Sequence, residues 1–396
     1  MYSAEKIKSE YSQHNMVKLL RGGKAYFDAL FELIDNAKNS IQLQVYILEE
    51  DATGTELANN LIVAANRGVK VQVLVDGYAS RNLSSNYIKR MTKNNIQFRH
   101  FEPLWKCEKF YFGRRLHHKI LVADGIYALV GGINISDRYN DTMENSAWLD
   151  WAIKVKGEAA YELHKICNQF YAKKETEKIV LERTLLMETN NINNNIPVRI
   201  RRNDWVKNKN DISATYMQIF KSAKNEIIIM SSYFLPGSFF KKNILKALER
   251  GVTVKLILAG ISDIGISKYA EKYLYRWAIR HGIEIYEYKT NILHGKIAVC
   301  DNKFVTVGSY NINDISALAS VELNLDINDE KFATNVTQTL SKIINKECVK
   351  INSNKNINQF SITEQFLQWC SYELFRVTFT LFTFYFRKNK RKANIV

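Results

Sequence analysis

Leu116–Asn134 reads LHHKILVADGIYALVGGIN, and Leu293–Asn311 reads LHGKIAVCDNKFVTVGSYN. These two stretches decide the fold, because they are one pattern used twice. Working outward, AKNSIQLQVYIL (Ala37–Leu48) and RGVKVQVLVDG (Arg67–Gly77) precede the first copy. AKNEIIIMSSYFLPG (Ala223–Gly237) and RGVTVKLILAG (Arg250–Gly260) precede the second in the same order. The copies are offset by 186 residues at Ala37/Ala223 and by 177 at Asn134/Asn311. Such a spacing marks one duplicated module; solenoid periods are far shorter.

Each module alternates helix and strand. Phe27, Leu30, Phe31, Leu33 and Ile34 recur at helical spacing within Tyr26–Ala37, and Ile41–Leu48 follows as a strand. A helix over Glu56–Asn66 leads into a strand over Val69–Val75. This alternation predicts an α/β fold with a largely parallel sheet in each module. Asparagine-rich Asn190–Asn195, just before Pro197, reads as the linker, and Asn352–Asn358 as a second. The expected domains are residues 1–189, 190–350 and a tail, 351–396.

The pattern HxKxxxxD occurs as His117, Lys119, Asp124 and again as His294, Lys296, Asp301. Each copy is followed at the same distance by G-[G/S]-x-N: Gly131, Gly132, Asn134 and Gly308, Ser309, Asn311. Matched motifs in matched repeats are not chance. On a strand, residues two apart share a face, so each histidine points the same way as its lysine. Asp-Gly and Asp-Asn favour tight hairpins. A two-residue loop at Asp124-Gly125 pairs His117 with Gly132, and the same register pairs His294 with Ser309. A small residue beside each histidine then leaves room for a tetrahedral phosphorus group, with Asn134 and Asn311 on the same face.

These residue types suit phosphoryl-type transfer. A neutral histidine attacks phosphorus and forms a covalent intermediate, and a protonated one gives its proton to the leaving alcohol. Lys119, Lys296, Asn134 and Asn311 can hold the non-bridging oxygens. Each module supplies half of this set. Asp124 and Asp301 belong to the motif, but their turn positions suit bracing the hairpins. His118 faces away from His117 and reads as structural, which excludes a His-His metal pair. His14, His100, His164 and His281 lack repeated context. The glycine pairs have no P-loop lysine after them, so nucleotide binding has no support.

Composition narrows the partners. The 396 residues are 46% hydrophobic and 24% charged, an ordinary globular balance. The net charge of +16 calls for anionic partners: nucleic acid, phosphate substrates or an acidic membrane. Five scattered cysteines, with no CxxC, argue against a disulfide framework or a cysteine zinc site and fit a reducing compartment. The opening MYSAEKIKSEYSQHN has no apolar signal region.

The paired motifs resemble the phospholipase D superfamily, and among its members the bacterial cardiolipin synthases. The resemblance covers about Tyr26–Ile344. It includes VGGIN followed by SDRY, WLDWAIKVKG, and IEIYEYKTNILHGKIAVCD with VGSYN. It implies two α/β modules packed with pseudo-two-fold symmetry, both histidines acting on one phosphodiester, a phosphohistidine, and neither metal nor cofactor. It also implies a carboxylate downstream of each motif that supports a histidine; Asp150 in WLDW and Glu322 in ASVEL match those positions. Gly132 stands where the fuller pattern has serine.

Phe366–Phe386 is crowded with apolar and aromatic residues, and Arg387, Lys388, Lys390, Arg391 and Lys392 follow. Its longest uncharged run, Val377–Phe386, is too short to span a bilayer as a helix, which takes ~20 residues. It reads as an interfacial segment held by anionic lipid. The alternatives are a buried terminal element and a strand, since VTFTLFTFYF alternates. The expected enzyme is a phosphatidyltransferase making cardiolipin from phosphatidylglycerol, peripheral on the cytoplasmic face of the cell membrane, with no nucleic acid partner. Its rivals are a phospholipase D using water and a nuclease of the same superfamily.

Overall fold

The computed structural model describes residues 11–103, 114–172, 195–313, 320–352 and 360–393, with side chains of the final helix to Thr380, Phe379 excepted. The first half runs β1 (Asn15–Arg21), α1 (Lys24–Asn36), β2 (Ser40–Val45), α2 (Ala52–Asn66), β3 (Lys70–Asp76), α3 (Ser85–Lys93), β4 (Gln97–Phe101), β5 (Arg115–Leu116), β6 (Lys119–Ala123), β7 (Tyr127–Gly131), β8 (Trp151–Gly157) and α4 (Glu158–Ala172). The second runs β9 (Val198–Asp204), β10 (Lys209–Asn210), α5 (Asp211–Ser222), β11 (Glu226–Ser231), α6 (Ser238–Glu249), β12 (Thr253–Ala259), α7 (Gly265–Arg280), β13 (Glu284–Tyr288), β14 (Ile297–Cys300), β15 (Phe304–Gly308), β16 (Ser320–Asn328), α8 (Glu330–Glu347) and β17 (Cys348–Ile351). A last helix, α9, spans Ile362–Ala393. The expected linker at Asn190–Asn195 lies outside the described residues except for Asn195, and so does most of Asn352–Asn358.

The duplication is visible in the sheets. The first is ordered β1-β8-β7-β6-β2-β3-β4 and the second β10-β9-β16-β15-β14-β11-β12-β13-β17. Apart from the edge strands β10 and β17, the two orders correspond strand for strand. Along these two orders, parallel pairing among the described residues is confined to β2-β3-β4 and β11-β12-β13. The expectation of largely parallel sheets is therefore corrected: both are mixed. The helices that feed parallel strands stop at β4 and β13. From there, tight turns join β6 to β7 and β14 to β15, and a tight turn can only build an antiparallel pair.

The hairpin register also differs from expectation by one residue. Asp124 and Gly125 have φ of 55° and 68°, and Asp301 and Asn302 have 52° and 55°, the left-handed values that a tight hairpin turn needs. The ladders nevertheless close at Ala123↔Tyr127 and Cys300↔Phe304, leaving Ile126 and Lys303 as extra residues outside the pairing. The reason is that each aspartate is held sideways. Its backbone N–H donates to the adjacent chain, at Ser40 or Glu226, rather than closing the hairpin.

The modules share their interior. Ile120, Val130 and Ile153 of the first sheet join Ile228, Ile297, Val307 and Leu325 of the second in one buried cluster. The outer faces are covered separately, by α1 and α2 in one half and α5 and α6 in the other. Backbone exchange reinforces the join: β5 of the first half pairs with β16 of the second, and Leu149 bridges Leu293.

Candidate active site

β14 runs antiparallel to β11, so the His294–Lys296 end of β14 lies where β11 to β13 terminate. The same geometry places His117 and Lys119 at the C-terminal edge of β2 and β3. Both histidines thus sit at sheet ends that face the join between modules, where open α/β sheets collect their ligands.

The central finding is a crossed support. His117 Nδ1 lies 2.7 Å from Glu322 Oε2, and His294 Nδ1 lies 2.6 Å from Asp150 Oδ2. Each histidine is held by the carboxylate of the other module. The backbone repeats the exchange. His117 N–H donates to the carbonyl of Val321, beside Glu322, and His294 N–H donates to that of Leu149, beside Asp150. Both carboxylates are buried completely, and the histidines nearly so. A neutral ring that donates from Nδ1 to its carboxylate keeps its lone pair on Nε2.

Electrostatics join the four motif side chains into one site. Burial lowers the pKa of His117; the Glu322 charge opposes this, and Lys119 and Lys296 add to it. Burial likewise lowers His294, aided by Lys296 and opposed by Asp150. Lys119 and Lys296 are pushed down by burial, each partly restored by both carboxylates. Lys119 Nζ donates to the His117 carbonyl at 3.0 Å, and Lys296 Nζ to that of His294. Two cations and two imidazoles therefore confront two fixed anions in a low-dielectric setting, where charge developing on a bound phosphate is felt strongly.

The small residues of the G-[G/S]-x-N motifs do different work from that expected. Ser309 donates its hydroxyl to Glu322 Oε2 at 2.5 Å, so it helps hold the carboxylate that holds His117. At Gly132 a Cβ would collide with the Asp150 carboxylate. The space expected for phosphorus at each small residue is taken by a carboxylate of its own module, Asp150 at Gly132 and Glu322 at Ser309. Asn134 accepts from the Ile47 N–H and donates to Tyr139 Oη at 2.9 Å, and Asn311 accepts from Ser232 Oγ at 2.7 Å. Both asparagines are buried in loop contacts. Asn134 lies one residue away from His294, through Tyr139.

Asp124 and Asp301, expected in the catalytic set, stand at the far ends of β6 and β14 from the histidines. Asp124 accepts the backbone N–H groups of Lys38, Asn39 and Ser40, and Asp301 those of Lys224, Asn225 and Glu226. Each tethers its hairpin to the turn that launches the neighbouring strand. His118 is fully buried on the opposite face, against Gln44 and Phe170.

Aromatic walls were not anticipated. The edge of Tyr46 meets His117 with centroids 4.8 Å apart, and Lys119 Nζ lies 4.9 Å from the Tyr46 centroid. Tyr139 and Trp148 flank His294 at 5.2 and 6.2 Å. Tyr139 sits in SDRY and Trp148 in WLDW, so proximity to the motifs was the only available signal. Among the described residues, no three histidine, cysteine or acidic side chains converge to hold a metal ion.

A family model described as "Cardiolipin synthase, PLD-like domain" matches residues 30–170 and 216–344, one stretch in each module. The chain belongs to the phospholipase D-like cardiolipin synthase family. It is 32% identical to cardiolipin synthase B of Shigella flexneri over 353 residues, which is 87% of this chain and 84% of the relative. Cardiolipin synthase B of Salmonella typhimurium is 33% identical over 348 residues, with the same shares covered. Among solved structures, a phosphatidylserine synthase from Haemophilus influenzae superposes with a TM-score of 0.72 at 17% identity, covering 91% of this chain and 94% of its own. That likeness supports the two-module fold of this cardiolipin synthase family member. In both copies the stretch the family model matches contains the histidine, the lysine and the carboxylate of the crossed pairs.

Proposed function

We propose that this protein is a phosphatidyltransferase that joins two phospholipids into cardiolipin. The crossed pairs carry the reading: two buried imidazoles, each oriented by a fixed carboxylate, with a lysine beside each. One neutral histidine attacks the phosphorus of phosphatidylglycerol through Nε2. The bond from phosphorus to the glycerol oxygen breaks as the other, protonated histidine gives its proton to that oxygen. Glycerol leaves, and a phosphatidyl-histidine remains. The second histidine, now neutral, takes the proton from a headgroup hydroxyl of another phospholipid. That oxygen attacks phosphorus, the P–N bond breaks, and both histidines return to their starting states.

Lys119 and Lys296 neutralise the non-bridging oxygens. To do so they exchange their present bonds, to the carbonyls of their own histidines, for the phosphate oxygens. No step needs a metal or cofactor. The membrane surface is the natural site of action, since both substrates are lipids. We place the enzyme peripherally on the cytoplasmic face, in keeping with the +16 charge and the apolar, basic tail. No described helix is long and apolar enough to cross a membrane.

The test is purified protein with phosphatidylglycerol vesicles, products resolved by mass. Cardiolipin with glycerol is expected. Phosphatidic acid with glycerol would mean that water is the acceptor, as in a phospholipase D. No lipid turnover together with DNA cleavage would mean a nuclease.

A further inference from the structure

The second module carries an apolar surface that the chemistry does not use. The loop between β12 and α7 exposes Ile261 and Ile264 at 51% and 45%, and Ile266, in the first turn of α7, is exposed at 44%. It ends at the same sheet edge as His294 and Lys296. Its Asp263 accepts from Tyr233 Oη at 2.5 Å, and the Asp263 charge acts on Lys296. A loop and first helical turn so close to the cleft, exposing three isoleucines within six residues, form an apolar patch that calls for a cover.

The surface continues along α7 and α9. Tyr273 of α7 stacks on Tyr372 of α9 with centroids 4.8 Å apart, and Leu274 packs with Tyr372 and Phe375. α9 therefore already buries one apolar face. Its solvent side carries apolar residues too: Ile362, Phe366 and Trp369 follow one helical stripe that ends at the Glu373–Arg376 ion pair, and Leu367 and Leu374 another, all at least 45% exposed. A helix apolar on both sides has an outer face meant to be covered.

We propose that the Ile261–Ile266 segment, loop and first turn of α7, and the outer face of α9 form one continuous membrane-seating surface, with the segment inserted among lipid headgroups at the mouth of the cleft. The occupant is a phospholipid bilayer, on three grounds. The surface opens onto a site read as acting on lipid headgroups, so the inference rests on that reading. Trp369 and the tyrosines are residues suited to a headgroup interface. Lys242 and Phe239 are exposed side by side on neighbouring α6, a basic and apolar mixture that fits anionic lipid better than a protein partner. The loop, not the tail alone, then sets the depth and orientation of the active site.

The test is the triple variant I261S/I264S/I266S in the full-length chain. It is compared with the parent on vesicles of phosphatidylglycerol and phosphatidylcholine, and on monomeric short-chain phosphatidylglycerol. Vesicle turnover and co-sedimentation should each fall about tenfold, while short-chain turnover stays within about twofold. A second variant, I264W, should show blue-shifted emission with vesicles and quenching by brominated lipid. Unchanged vesicle binding in the triple variant, or an I264W spectrum insensitive to vesicles, overturns the proposal. So does unchanged vesicle binding with an altered oligomeric state, which would assign the surface to a second copy. Co-sedimentation reads the surface without turnover. A parent that binds vesicles but transforms neither substrate would fail the catalytic reading and leave the seating surface standing.

Discussion

His117 is held by Glu322, a residue 205 positions further along the chain and in the other module, through a 2.7 Å contact from Nδ1 to Oε2. His294 is held in the reverse sense by Asp150. Neither motif histidine takes its carboxylate from its own module. The duplication therefore built one site that requires both halves, and separated modules should be inactive even when folded.

The crossed support predicts a specific coupling. The Glu322 charge raises the pKa of His117 against the lowering effect of burial. Glu322→Gln removes that charge, so His117 should titrate at lower pH in the variant than in the parent. NMR of the His117 ring gives the titration directly. Turnover should fall by about 10²-fold or more, as for loss of a group that orients a catalytic histidine. An unchanged His117 titration would contradict the coupling.

His117→Ala and His294→Ala should each remove nearly all turnover, by about 10³-fold or more, with the thermal transition retained. In the proposed mechanism one ring attacks and the other transfers the proton, so neither can substitute for the other. A single variant that keeps the parent rate would break the shared-site account.

Gly132→Ala is predicted to be costly despite its small size. The added Cβ would strike the Asp150 carboxylate and displace the support of His294, while the backbone pairing around it would stay in place. Ser309→Ala removes a donor to Glu322 without adding bulk and should be the milder change. Turnover of the two variants, measured side by side, checks the order.

His118 links pH to stability. It is fully buried, with Nε2 unpaired and a pKa held well below 6.5 by burial and then by Arg202 and Lys119. Above pH 6.5 the ring is neutral in both the folded and unfolded chain, and its contribution is complete. As pH falls below that value, only the unfolded chain takes up the proton, so stability declines. Urea midpoints at pH 7.5 and 5.5 should differ less in His118→Phe than in the parent. Chelation gives a separate check: with lysines supplying the positive charge, EDTA should leave turnover unchanged.

The sequence was most legible where it repeats. The paired HxKxxxxD and G-[G/S]-x-N motifs located both strands, both hairpins and the four basic side chains. The hairpin register was not legible, because the extra residues Ile126 and Lys303 arise from Asp124 and Asp301 bonding sideways to another chain segment. The crossing of the carboxylates was hidden for a similar reason. It depends on β5 joining β16 and Leu149 bridging Leu293, contacts between distant segments that leave no local pattern. Tyr46 and Tyr139 border the histidines through tertiary packing alone. The α9 helix over Ile362–Ala393 excludes the strand alternative for the tail, although the side chains of most of the Val377–Phe386 run lie outside the described residues.

The central claim is that a phosphatidyl group passes through a histidine of the composite site. The most direct measurement is an alkaline quench of the enzyme during turnover of phosphatidylglycerol, conditions that preserve a phosphorus–nitrogen bond, followed by peptide mapping by mass. The account predicts a phosphatidyl adduct on either His117 or His294, lost when that residue is replaced by alanine. Continued turnover with neither histidine carrying an adduct would contradict it.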